Sequence, residues 1–143
     1  MYRVALSYCG SVIVAFILGS ILATQFVLDK LTDLGIGVLL VDRLKVTFKD
    51  ILGLSGTYLP LIAIALALAF ATAHYLARFG GLSRTSWFVF AGFVALIALH
   101  IIMKEVLGLT GIAATRTLAG LLSQGLAGAL AGASYAYFSQ PKR

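Results

Sequence analysis

The chain has 143 residues, 61% of them hydrophobic and 11% charged, with a net charge of +6 and a mean hydropathy of +1.03. Soluble domains carry about 45–50% apolar and about 25% charged residues, and a short chain in water still needs a wet surface, so this composition points to the bilayer. The single cysteine, Cys9, excludes an internal disulfide, a CxxC pair and a Cys-rich metal centre, and the scattered cations form no basic stripe for nucleic acid.

A spanning helix needs roughly 20 apolar residues. The first such segment is 4–28. Arg3 is a thin basic region, the apolar run is long for a signal peptide, and cleavage after Ala23 would place Ile21 at the −3 position. An uncleaved anchor is expected.

Residues 38–54 have a different pattern. Leu40, Val41, Leu44, Phe48, Ile51 and Leu52 fall on one side of a helical wheel, with Asp42, Arg43, Lys45, Lys49 and Asp50 on the other. This predicts an amphipathic interfacial helix with its apolar side toward lipid or the bundle.

The second span, 58–78, opens near Pro60, where a proline costs no helical hydrogen bond. The third is 86–106 and the fourth 115–138. Glycines punctuate the ends: Gly35 and Gly37, Gly53 and Gly56, Gly80 and Gly81, Gly108 and Gly111. The expected fold is all-α: a single polytopic domain, a four-transmembrane-helix bundle with an interfacial helix between the first two spans.

All five acids, Asp29, Asp33, Asp42, Asp50 and Glu105, fall on one side of this layout. Arg3, Arg78, Arg84, Lys142 and Arg143 fall on the other. The Lys/Arg counts nearly tie, so the short, arginine-flanked loop between the second and third spans guides the orientation. Both termini are expected in the cytoplasm, as for a multi-pass protein of a bacterial inner membrane. Trp87, Phe88, Tyr2, Tyr8, Tyr135, Tyr137 and Phe138 read as an aromatic belt on the terminal side, with Tyr58 on the opposite face.

In the fourth span Gly120, Gly128, Gly132 and Ala136 recur at spacings of four or eight. Gln124 completes that stripe, and Gly125 belongs to the neighbouring one. Small residues at this spacing let helix backbones approach and associate in lipid. A homo-oligomer or a larger membrane complex is the expected partnership, beside the bilayer itself.

Polar groups inside spans are candidate functional residues. At 1.5 Å per residue, His100 and Gln124 reach a similar depth, and so do Glu105 and Arg116. With Lys104 they form a predicted polar cluster, which Gln25 could join. His74 lies about 15 Å from His100 in depth by the same rise, which argues against a bis-histidine haem. The carboxylates are not paired as an acid–base catalyst requires, and Cys9 has no histidine near it in sequence. No catalytic residue, metal or cofactor is expected. The sequence favours an accessory or structural membrane subunit, with a small transporter or channel built on His100, Glu105 and Arg116 as the alternative.

Overall fold

The computed structural model describes residues 2–107 and 113–140. Gly108, Gly111, Lys142 and Arg143 lie outside the described residues. The described residues form helices and no strand: α1 (Tyr2–Asp33), α2 (Leu40–Leu54), α3 (Tyr58–Leu76), α4 (Arg84–Leu107), a 3-10 turn (Ala113–Arg116) and α5 (Leu118–Phe138).

Helices α1, α3 and α4 are long and apolar enough to cross a membrane. Most of the α3 and α4 surface faces outward, with Ile64, Leu68, Phe90 and Ile102 exposed. Water does not tolerate an apolar surface of this extent and lipid does; the chain has the build of a membrane protein. Helix α5 (21 residues) is not among those three: glycine, serine and glutamine interrupt its apolar run.

The helix ends follow from backbone chemistry. Helix α1 outruns its predicted end because no residue before Gly35 breaks it. Gly35 takes φ +83°, and the N–H groups of Gly35 and Ile36 return to the carbonyls of Thr32 and Leu31 at 2.9 and 3.1 Å. This is a glycine C-terminal cap, for which a Cβ would be strained. Gly80 and Gly81, at φ +81° and +90°, make the reversal between α3 and α4.

Helix α5 is the middle of the bundle. It packs on α4 and on α1, and α3 packs on α4 and more lightly on α1. Its α4 face is built from glycine. A Cβ on Gly128 would stand 2.1 Å from the Gly92 carbonyl oxygen, and one on Gly132 would stand 2.0 Å from that of Phe88. The two backbones touch, as small-residue spacing allows. Gly125 receives the Phe93 ring and Ile97, and Gly120 lies against the Ala114 carbonyl. With Ala136 also buried, the whole predicted small-residue interface is covered within the chain itself.

At the end carrying the termini, Phe70 stacks on Tyr135 at 4.6 Å between ring centroids and meets Phe88 edge-on at 5.6 Å, with Tyr8 at 6.5 Å. Phe88 is fully buried. It is a core residue rather than part of a lipid-facing belt, because the glycines of α5 draw α4 inward at this level. Tyr2, Tyr137 and Phe138 are exposed.

Helix α2 runs back along α1. Arg43 contacts Asp29 and Thr32, Thr47 contacts Gln25, and Asp50 contacts Thr24. Rising numbers on α2 meet falling numbers on α1, so the two form an antiparallel hairpin. Arg43, Thr47 and Asp50 of α2 thus face α1, while Asp42, Lys45 and Lys49 are exposed. Leu40, Val41, Leu44, Phe48 and Leu52 face outward and are exposed, while Ile51 touches the core.

Candidate functional site

A polar side chain in an apolar interior must find a partner there, since water is absent. Four helices meet that demand at one point. Tyr58, the first residue of α3, is 2% exposed. Its hydroxyl donates to Oε1 of Gln124 on α5 at 3.0 Å and lies 3.2 Å from Nε2 of His100 on α4. Nε2 of Gln124 donates to the Gly19 carbonyl of α1 at 2.9 Å. His100 and Gln124 are both buried. Glycine at position 19 leaves the required space: a Cβ there would stand 2.8 Å from Gln124 Oε1 and 3.3 Å from the Tyr58 hydroxyl. Beside it the Ser20 hydroxyl is buried without a partner.

The proton inventory of this knot is informative. Nδ1 of His100 lies 2.7 Å from the Leu96 carbonyl, which only accepts, so Nδ1 carries a proton. In the neutral imidazole Nε2 is then an acceptor. The single Tyr58 proton faces two acceptors, Nε2 and Gln124 Oε1, and satisfies one at a time.

Toward the end of the bundle away from the termini lies a second polar layer. Thr24 donates to Asp50 at 2.8 Å. Arg43 donates to Gln25 at 3.0 Å and Asp29 at 2.8 Å, and Gln25 reaches Thr47 at 3.3 Å. Gln25 therefore belongs to the α1–α2 hairpin and not to the His100 cluster. On the other side of the knot, Phe16, Ile62, Leu66 and Leu96 close the interior with apolar side chains.

Of the predicted polar cluster, His100 and Gln124 meet through Tyr58. Lys104, Glu105 and Arg116 are exposed. The ion pair formed among the described residues is Arg43–Asp29. Depth arithmetic aligned Glu105 with Arg116, but depth says nothing of direction around the helix. Glu105 lies about 140° around α4 from His100, at about 100° per residue, and Arg116 sits on the 3-10 turn rather than on α5. His74, near the opposite end, accepts from Arg78 at 3.3 Å. Among the described residues no three His, Cys, Asp or Glu side chains gather as metal ligands.

Sequence reasoning missed Tyr58, read as an interfacial aromatic. The usable signal was its depth: the start of the span that ends near His74 falls level with His100 and Gln124. Comparison with protein-family models, with curated proteins and with solved structures gives no match.

Proposed function

We propose that the chain is a four-span integral membrane protein with both termini cytoplasmic, serving as an accessory or structural subunit of a larger membrane assembly. The observation that carries this reading is the knot. Tyr58, His100 and Gln124 bond to one another and to backbone, tying all four helices together, and apolar side chains close the interior beneath them. Polar groups so engaged fix the register of helices; they do not form a route across the bilayer.

In this reading α5 is the fourth span, made tolerable in lipid because its polar atoms are turned inward. Helix α1 has 32 residues, about 48 Å at 1.5 Å each, against a hydrocarbon core of about 30 Å. Its excess projects outside with α2 beside it. Because α4 covers the glycine face, assembly with a second copy or another subunit uses a different surface.

A second reading, a proton-coupled carrier or channel, is favoured by the proton inventory. A proton delivered to Nε2 of His100 would make it a donor to Tyr58, free the Tyr58 proton for Gln124, and match every atom of the knot.

One reconstitution separates the two. Purified protein in liposomes with a pH-sensitive dye inside is expected to leak protons no faster than empty liposomes. Flux abolished in His100→Leu would reject the structural reading. In the same preparation, with Cys9→Ser as background, cysteines at Lys45 and Leu82 are expected to label from opposite faces of the membrane. Labelling from one face alone would reject the topology.

A further inference from the structure

A cavity of about 860 Å³ opens between α1 and α3 at the end of the bundle that carries the termini, lined by Tyr8, Phe70, His74, Arg84, Tyr135 and Ser139. It falls within the range of ligand pockets, about 300–1,000 Å³. Its two ends differ. Toward the middle of the bundle it is walled by Ala67, Ala71 and the aromatic cluster. Toward the terminal end it is lined by Arg84 and His74.

Arg84 is fixed in place. Its guanidinium donates to the Ala136 carbonyl at 2.9 Å and to the Ser139 hydroxyl at 2.6 Å, and lies over the Phe88 ring at 5.0 Å. Among the described residues its other N–H donors take no hydrogen-bond partner, and a guanidinium keeps its charge at any ordinary pH. Across the mouth, Arg78 donates to His74 at 3.3 Å, so a second guanidinium stands beside the cavity wall.

Among the described residues no side-chain carboxylate is placed to answer these charges. The sequence has no acid in residues 1–28, 51–104 or after 105, and Asp29, Asp33 and Glu105 belong to the opposite ends of α1 and α4. The described side chains leave these charges open to an anion from outside the chain. An oriented guanidinium is suited to phosphate, and the apolar length from His74 to Ala67, about 10 Å at 1.5 Å per residue, is suited to the upper part of an acyl chain.

We propose that this cavity is a binding site for one anionic phospholipid, with its phosphate between Arg84 and the Arg78–His74 pair and an acyl chain along the α1–α3 gap. The proposal rests on the membrane-spanning reading; alkaline extraction of native membranes tests that reading separately, since a chain released by alkali was not embedded.

The site is tested by native mass spectrometry of detergent-purified protein, titrated with phosphatidylglycerol or phosphatidylcholine of the same acyl chains. Phosphatidylglycerol is expected to bind more tightly, by about five-fold for each engaged cation. Arg78→Gln and His74→Ala, which leave the Arg84 contacts in place, are each expected to reduce that preference, whereas Lys49→Gln on α2 retains it. Circular dichroism and thermal unfolding establish that each variant is folded; Arg78→Gln, at an exposed position, serves if His74→Ala is not. Equal binding of the two lipids overturns the proposal. So does unchanged preference in folded Arg78→Gln, or complete displacement of the lipid by equimolar inorganic phosphate, which would make the site one for free phosphate.

Discussion

Replacing Gly128 by alanine adds one methyl group where α4 and α5 touch. That carbon would stand 2.1 Å from the Gly92 carbonyl oxygen and 2.9 Å from Leu96 Cγ. The leucine can turn aside; the carbonyl belongs to a helix and cannot. Ordinary contact begins near 3.4 Å, so the helices must part by about 1.3 Å, the difference between 3.4 and 2.1 Å, and overpacking of this kind costs about 1–3 kcal/mol. A gap of that width weakens neighbouring contacts too, since dispersion falls steeply over about 1 Å. Reversible unfolding in mixed micelles of mild detergent and dodecyl sulfate is the assay, with Leu130→Ala, on the exposed side of α5, as the control. Gly128→Ala is expected to lose about 1–3 kcal/mol at every protein concentration. A loss below about 0.5 kcal/mol, the range of neutral substitutions, would refute the packing argument. A loss that disappears on dilution would place the glycine face between chains instead of within one.

Two further substitutions probe the polar layers. Tyr58→Phe deprives both His100 Nε2 and Gln124 Oε1 of their donor, and a loss of about 1–2 kcal/mol is expected in the same unfolding assay; a double-mutant cycle with Gln124→Leu should return a coupling of about 0.5 kcal/mol or more, and strict additivity would mean that the two do not interact. Arg43→Gln removes the hub of the α1–α2 hairpin, yet Asp29 is well exposed, so the effect on global stability should stay below about 1 kcal/mol. Amide hydrogen exchange in α2 should nevertheless accelerate several-fold relative to α4, and uniform exchange across both helices would show that the hairpin does not open by itself.

The helices were legible because their apolar runs are long and glycines mark their ends. The partnering was not. Gly128 and Gly132 announce a close helix contact, but the motif reads the same whether the facing backbone is in this chain or another; Gly92, the matching small residue on α4, lacks a repeat to draw attention to it. Matching depth brought His100 and Gln124 together correctly in level but left out Tyr58, because an aromatic beside a proline at a span end resembles an anchor. It also aligned Glu105 with Arg116, which are both exposed, one on α4 and the other on the 3-10 turn. Depth is a one-dimensional quantity, and side-chain contact depends on azimuth as well. That residues 40–54 are helical was readable, whereas the turning of Arg43, Thr47 and Asp50 to α1 depends on the overhang of α1, which the apolar run alone does not reveal.

The central place of α5 has a consequence for biogenesis. Helices α1 and α4 scarcely touch except through it, so a ribosome that has released only the first spans has produced helices without their common neighbour. Its glutamine, moreover, finds partners only on helices already in place. Assembly therefore waits on the synthesis of α5: a chain truncated before Leu118 keeps the α3–α4 packing and the lighter α1–α3 contact but lacks the helix that joins α1 to α4, which makes it a substrate for membrane quality control rather than a smaller version of the same protein.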